Sequence, residues 1–229
     1  MNQYKRIGIV GGVSPQSSAL FYKAIIEKHY QKYKDHHYPE IIMFSVDFGK
    51  IKDLQKHNDS SDYIQEFVNA INSLERAGAD FAVIASNTPH RVFSEIYQKT
   101  SLKLLSIVDS TASHAIKNDY NKLLLLGTVY TMKEEFYRNG LLAKGIQAVV
   151  PDNEEQEIIN NIIFNELVVG DVEQNSKNAV LKIIHKNDVD AVILGCTELS
   201  LLITNRDTNV PLIDTTDVHA EATLNYALL

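Results

Sequence analysis

The stretch from residue 190 to residue 198 is Asp190-Ala191-Val192-Ile193-Leu194-Gly195-Cys196-Thr197-Glu198. A run of four apolar residues ends here in a glycine, a thiol and two polar side chains. Such a short run, bounded by polar residues, predicts a strand of a parallel sheet that is buried on both faces. Cys196 is the only cysteine of the chain, and its thiol is predicted to lie directly after that strand.

The first half of the chain contains a second stretch with the same pattern. Ser86 follows the apolar run 81–85, and Asp80 precedes Ser86 by six residues. Asp190 precedes Cys196 by the same distance. Two downstream segments also match each other, as Asp, Ser or Thr, Thr, two variable positions, His and Ala: 109–115 and 214–220. The chain is therefore predicted to contain two copies of one unit, each with a small nucleophilic group after a buried strand.

The composition is that of a globular protein, with 45% apolar residues. The net charge of −7 argues against a nucleic-acid partner or a membrane surface. We expect no secretory signal and no membrane span, because the apolar runs are too short. A single cysteine forms no internal disulfide, which favours the cytoplasm. The eight histidines lack zinc-type spacing, so no metal is expected.

Short apolar runs alternate with longer segments of helical periodicity throughout the chain. The predicted strands are 7–10, 41–46, 81–85, 104–108, 123–126, 147–150, 191–194 and 211–213. The predicted helices are 14–33, 62–77, 153–167 and 172–186, one starting near Thr131 and one from Thr215. This alternation predicts an α/β fold with two mostly parallel sheets, each flanked by helices.

Polar residues follow several predicted strands at the edge where α/β proteins bind ligands. Because these segments also begin predicted helices, their N–H groups favour a carboxylate or a phosphate. We expect the two copies to bring Ser86 and Cys196 to opposite sides of a small anion-binding cleft. A helix start after Cys196 is expected to lower the pKa of its thiol. Glu198 is a candidate partner for a ligand ammonium or for the thiol.

Five segments of the chain form an ordered set of motifs. They are Ile7–Ser14, Ser45–Phe48, Ser86–His90, Leu126–Thr128 with Tyr130–Met132, and Gly195–Glu198. In this order they resemble the aspartate/glutamate racemase superfamily, specifically its aspartate racemase branch, over essentially the whole chain. The glutamate branch typically has Asp-Ser-Gly near its start and histidine after Cys-Thr, whereas this chain has Gly-Gly-Val-Ser and Glu198.

The resemblance implies two pseudo-symmetric α/β domains, each with a mostly parallel four-stranded sheet, and an active site at their interface. The implied domains are 1–112 plus 207–229, and 113–206. It also implies a homodimer without any cofactor, in which two cysteines exchange the α-proton of a small dicarboxylic amino acid. Cys196 matches the second cysteine, and Ser86 stands where the first is usual. The implied substrate-binding residues are Val13, Ser14, Gln55, Asn87, Thr88, Thr128, Thr131, Thr197 and Glu198.

Three functions are compatible with one thiol opposite a serine. The first is racemisation of aspartate, or of aspartate and glutamate, with Ser86 as a natural or engineered variant that acts slowly or on one side. The second is a single-cysteine enzyme similar to arylmalonate decarboxylase. The third is an inactive amino-acid-binding protein. The segment 164–170 contains no lysine of the kind that some aspartate racemases carry, which leaves the side-chain specificity open.

Overall fold

The computed structural model describes residues 4–56 and 59–229. Its strands form two parallel four-stranded sheets with the same internal order, β2-β1-β3-β4 and β6-β5-β7-β8. The strands are β1 (Ile7–Gly11), β2 (Ile41–Ser45), β3 (Phe81–Ile84), β4 (Leu104–Leu105), β5 (Lys122–Leu126), β6 (Gln147–Val149), β7 (Ala191–Leu194) and β8 (Leu212–Asp214). The predicted α/β fold with two four-stranded parallel sheets is therefore confirmed.

Helices connect successive strands, and two short 3₁₀ helices, Thr88–Val92 and Leu167–Val169, add to them. The α-helices are α1 (Pro15–Tyr33), α2 (Phe48–Leu54), α3 (Ser61–Arg76), α4 (Phe93–Gln98), α5 (Ile107–Lys117), α6 (Val129–Lys133), α7 (Phe136–Leu142), α8 (Asn153–Asn165), α9 (Gln174–Lys186), α10 (Leu199–Leu202) and α11 (Thr215–Ala227).

The chain divides into two compact units. Unit 1 is Met1–Ile107 with His219–Leu229, and unit 2 is Val108–Val218. Unit 1 thus contains the sheet of β1 to β4, and unit 2 contains the sheet of β5 to β8. These divisions lie after Ile107 and Val218, whereas the domains implied by the resemblance change at 112/113 and 206/207.

Both faces of the unit 1 sheet are covered at its central strands β1 and β3, as their continuous apolar sequences predict, whereas residues 43–45 of the edge strand β2 are exposed. Ile9 of β1 belongs to an apolar cluster with residues of α1 and α11, whereas its neighbour Val10 belongs to a cluster with residues of α3. Successive strand residues point to opposite faces, so every residue of such a strand is buried. Full burial of a side chain such as Ile9 stabilises the fold by about 1.5–3 kcal/mol.

The repeated aspartates of the two units have a structural role at the amino ends of the sheets. Asp80 accepts a hydrogen bond from the backbone N–H of Arg6 at 2.6 Å. Asp190 accepts from the N–H groups of Asn121 and Lys122 at 2.7 and 2.8 Å. Each carboxylate therefore joins the residue before the third strand of its sheet to the start of the first strand. Repetition of the aspartate reflects this shared connection.

One predicted strand is wrong in its extent. The apolar run 104–108 predicts a strand up to Val108, but β4 contains only Leu104 and Leu105. The N–H of Ile107 instead donates to Nε2 of His90 at 3.0 Å, and α5 begins at Ile107. A hydrogen bond to a side chain far away in the sequence thus ends the strand, and hydrophobic periodicity does not detect such a bond.

Candidate active site

Ser86 and Cys196 occupy equivalent positions within their own units. In unit 1 the N–H of Ala85, directly before Ser86, donates to the carbonyl of Val10 at 3.0 Å. In unit 2 the N–H of Gly195, directly before Cys196, donates to the carbonyl of Leu126 at 2.7 Å. Ser86 therefore directly follows the last hydrogen bond between β1 and β3, and Cys196 directly follows the last hydrogen bond between β5 and β7.

The turn after β1 contains a chain of serine hydrogen bonds in unit 1. Ser14 caps α1 and accepts from the N–H of Ser17 at 3.3 Å, and the two hydroxyls lie 3.1 Å apart. Ser18 accepts from the N–H of Gly12 and donates to the carbonyl of Ser14, both at 2.8 Å. Ser17 and Ser18 are buried. Sequence reasoning identified Ser14 and missed both of these supporting serines.

The backbone at Gly12 needs a glycine. Its φ is +98°, and an added Cβ would collide with the backbone of Val46, whose nitrogen would be 2.7 Å away. This close approach places the turn beside the residues that follow β2.

Val13 is half-buried and packs against the unit 1 core. Gln55 is half-buried at the carboxyl end of α2, whose first residue follows the capping carboxylate of Asp47.

His90 holds the backbone after β3. Its Nδ1 donates to the carbonyl of Ser86 at 2.9 Å, and its backbone N–H donates to the carbonyl of Asn87 at 2.9 Å. Because Nε2 accepts from Ile107, both ring nitrogens suit one neutral tautomer. Burial lowers the pKa of His90 to about 4. Asn87 is buried and Thr88 is half-buried at the start of the first 3₁₀ helix.

We expect the free energy of unfolding to fall as the pH is lowered from 6.5 to 4. His90 takes up a proton near pH 6.5 in the unfolded chain but only near pH 4 in the folded protein. The unfolded state binds more protons in this range, so acid favours it. The loss attributable to His90 is about 3 kcal/mol at pH 4. Denaturant unfolding at a series of pH values measures it.

Replacement of His90 by glutamine should remove the part of this pH dependence that His90 contributes. Burial also lowers the pKa of His219 well below its ordinary value, so the part that His219 contributes should persist in the variant. His185→Gln, on the exposed surface of α9, is the matched control and should retain the full dependence. A free energy of unfolding that is constant between pH 6.5 and 4 in the unchanged protein would contradict a neutral, buried His90.

In unit 2 two threonines close the turn after β5. Thr128 caps α6 and accepts from the N–H of Thr131 at 3.5 Å, and their hydroxyls lie 3.3 Å apart. Thr131 is fully buried. An added Cβ at Gly127 or Gly195 would lie 3.1 or 3.0 Å from the Thr131 side chain. Glycines at the ends of β5 and β7 therefore leave the space that Thr131 occupies.

Cys196 is half-buried and directly contacts a carboxylate. Its Sγ donates to Oε2 of Glu198 at 2.9 Å, and the hydroxyl of Thr197 donates to the same oxygen at 2.7 Å. Ser200 donates to the carbonyl of Thr197 at 2.7 Å and holds this segment in a turn. Thiol, hydroxyl and carboxylate thus form one hydrogen-bonded group after β7.

The expected lowering of the Cys196 pKa is wrong. Burial, together with the adjacent Glu198 carboxylate, raises the pKa of the Cys196 thiol well above its ordinary value. The helix that follows, α10, has four residues and begins three positions after the thiol, too short and too distant to offset these effects. Cys196 is therefore a protonated thiol at neutral pH.

Within each unit the structure brings several of the expected site residues together. In unit 1 the neighbouring ends of β1 and β3 carry Ser14, Ser86, Asn87 and Thr88, and in unit 2 the ends of β5 and β7 carry Thr128, Thr131, Cys196, Thr197 and Glu198.

The matched histidines differ, because His219 is fully buried beside Phe21 whereas His114 is half-buried. Residues 4–56 and 59–229 include no helix that is long and apolar enough to cross a bilayer. Within these same ranges, no group of acidic residues, histidines and cysteine is arranged to hold a metal.

Comparison with known proteins places this architecture in one family. The broad specificity amino-acid racemase RacX of Bacillus subtilis is 25% identical over 97% of this chain and 98% of its own length. The aspartate racemase of Picrophilus torridus has 26% identity and a TM-score of 0.78, with 97% and 94% of the two chains covered. An aspartate racemase homologue from Pyrococcus horikoshii has 36% identity and a TM-score of 0.87, with 97% and 99% covered. Residues 10–223 match the Asp/Glu/Hydantoin racemase family, and the chain belongs to that family.

Proposed function

We propose that this protein is a cofactor-independent amino-acid racemase that acts on aspartate, with Cys196 and Ser86 at the α-carbon of the substrate. The observation that carries the proposal is the equivalence of these two positions, each directly after the third strand of its own sheet. Racemisation removes a proton from one face of the α-carbon and delivers a proton to the opposite face, so it needs one proton-transferring group on each face. The aspartate racemase relatives support aspartate as the first substrate to test, and RacX supports a test of glutamate and further amino acids.

Neutral donors suit the carbanion that this chemistry generates. Loss of the α-proton moves charge into the adjacent carboxylate, which preorganised N–H and hydroxyl groups stabilise. We propose that the residues around the two strand ends hold the substrate carboxylates in this way. They are Val13, Ser14, Gln55, Asn87, Thr88, Thr128, Thr131 and Thr197.

The two reacting groups differ in their ability to act as a base. The ordinary pKa of a cysteine thiol lies within reach of neutral pH, whereas a serine hydroxyl retains its proton there. Burial and Glu198 raise the pKa of Cys196, and a substrate ammonium group beside the sulfur would lower it again. We propose that Cys196 removes the α-proton and that Ser86, or a water beside it, delivers a proton to the opposite face. Exchange of the α-proton with solvent should then be faster from one enantiomer than from the other.

Solvent deuterium exchange tests the proposed function. Incubation of the protein with L- or D-aspartate in D₂O should place deuterium at Cα, with faster exchange from one enantiomer. Release of carbon dioxide from arylmalonates without exchange would favour the single-cysteine decarboxylase. Binding of aspartate without either reaction would identify an amino-acid-binding protein. We also propose a homodimer, which sedimentation equilibrium would test.

A further inference from the structure

We propose that His90 is a positioning residue for Ser86, because its ring supplies the hydrogen bond that holds the Ser86 carbonyl after β3. This inference rests on the proposed function, in which Ser86, or a water beside it, delivers a proton to one face of the α-carbon. It is carried by the 2.9 Å hydrogen bond from Nδ1 of His90 to the carbonyl of Ser86. His90 acts through Ser86 and not by contact with the substrate.

The two units satisfy the carbonyl of the reacting residue in different ways. In unit 2 the N–H of Leu199, three residues after Cys196, donates to the Cys196 carbonyl at 3.1 Å. The equivalent position in unit 1, three residues after Ser86, is Pro89, which has no N–H to donate. The ring of His90 therefore replaces the backbone donor that the proline removes from this turn.

The His90 ring is held in the orientation that this hydrogen bond needs. Its Nε2 accepts from the N–H of Ile107 at 3.0 Å, which places the ring proton on Nδ1. The ring of Phe93 stacks on it with centroids 5.0 Å apart, and the ring of His219 stands nearly perpendicular to it at 6.2 Å. Burial lowers the pKa of His90 to about 4, so the ring is neutral at neutral pH. One donor is thereby kept directed at Ser86.

The position of the Ser86 hydroxyl depends on this backbone contact. In the described part of the chain, no residue forms a hydrogen bond with that hydroxyl. The N–H of Ala85 binds the carbonyl of a β1 residue and fixes the chain before Ser86, and His90 fixes the peptide group after it. Because a peptide group is planar, a held carbonyl restricts rotation about the Cα–C bond and so holds the side chain. Loss of the His90 contact should therefore misplace the hydroxyl and leave Cys196 unaffected.

Two substitutions of His90 separate the two hydrogen bonds of its ring. The amide of His90→Asn lies near the position of Nδ1 and can donate to the Ser86 carbonyl. The longer amide of His90→Gln reaches the position of Nε2 and can accept from Ile107, but it leaves no donor near Nδ1. Both variants lose the same buried aromatic ring, so each controls for the packing that the other loses.

Two rates report separately on the two faces of the α-carbon. Conversion of one aspartate enantiomer into the other requires proton delivery on the Ser86 side, whereas exchange in D₂O with retained configuration requires only Cys196. We expect His90→Gln to lower conversion by about tenfold or more, because a misplacement of about 1 Å can reduce a rate by about 10²-fold. Its exchange with retention should remain at the rate of the unchanged protein. His90→Asn should keep both rates, which chiral chromatography with mass spectrometry measures.

Pro89→Ala provides a test that does not depend on the packing of the ring. Alanine restores an N–H at the position equivalent to Leu199, and this N–H can donate to the Ser86 carbonyl. Conversion by the double variant Pro89→Ala/His90→Gln should therefore be faster than conversion by His90→Gln alone. Equal rates in these two proteins would show that the missing donor does not cause the loss.

A merely structural role of His90 predicts a different result. Conversion and exchange with retention would then fall together in both His90 variants, and the proposal would be wrong. Unchanged conversion in His90→Gln would also contradict it. If His90→Gln does not fold, His90→Asn decides alone, since the proposal requires its conversion to stay close to that of the unchanged protein. Absence of exchange in the unchanged protein would instead overturn the proposed function, which separates the two failures.

Discussion

Replacement of Cys196 by serine is expected to lower the rate of deuterium exchange at Cα by about 10²–10⁴-fold. Serine is nearly the same size and can donate to Glu198 as the thiol does over 2.9 Å, so the turn should keep its shape. The hydroxyl retains its proton at neutral pH, however, and the variant would have a serine at both equivalent positions. Exchange of each aspartate enantiomer in D₂O, followed by mass spectrometry, measures the loss.

The stability of the variant provides the control for this experiment. Cys196 is half-buried, and its replacement leaves the apolar cluster of unit 2 otherwise intact. The thermal unfolding temperature should therefore remain close to that of the unchanged protein. Exchange within about threefold of the original rate would remove Cys196 from the mechanism, because a positioned base contributes far more than that.

Replacement of Ser86 by cysteine is expected to raise racemisation in both directions by about 10²-fold or more. A thiol at this position can become a base near neutral pH, which the hydroxyl cannot. The backbone there is held by the hydrogen bond from His90 to the Ser86 carbonyl, and the substitution does not alter that bond. Polarimetry from L-aspartate and from D-aspartate measures the two directions.

Ser86→Ala is the matched control for this substitution. The variant keeps the same backbone contacts but lacks the hydroxyl. Its turnover should be lower than that of the unchanged protein if Ser86 delivers the proton, and the same if a water molecule delivers it. A reductant in each assay keeps both thiols of Ser86→Cys free. Unchanged turnover in both directions in Ser86→Cys would rule out a mechanism with two groups on opposite sides of one carbon.

Much of the fold follows from local patterns in the sequence. The run 191–194 matches β7 residue for residue, because four apolar residues between polar ones suit a strand buried on both faces. Ser14 before Pro15 marks the start of α1, since its hydroxyl replaces a partner that the first turn lacks. The repeat also identified Ser86 and Cys196 as equivalent, and their positions after β3 and β7 agree with that equivalence.

Contacts between distant residues account for what local patterns missed. The early end of β4 depends on His90, 17 residues away from Ile107 in the sequence. The repeated aspartates Asp80 and Asp190 mark the repeat in the sequence, and only the structure shows that they join the amino ends of strands. No periodicity distinguishes a catalytic repeat from a structural one, because both recur with the same spacing.

The protonation state of Cys196 illustrates the same limit at the reacting group. The sequence is sufficient to predict a thiol at the end of a buried strand and a family of racemases, because strand periodicity and ordered motifs are local properties. The pKa of that thiol depends instead on its burial and on the direction in which the Glu198 carboxylate points. Desolvation and charge act through space, so the folded chain was needed to show that Cys196 rests as a thiol.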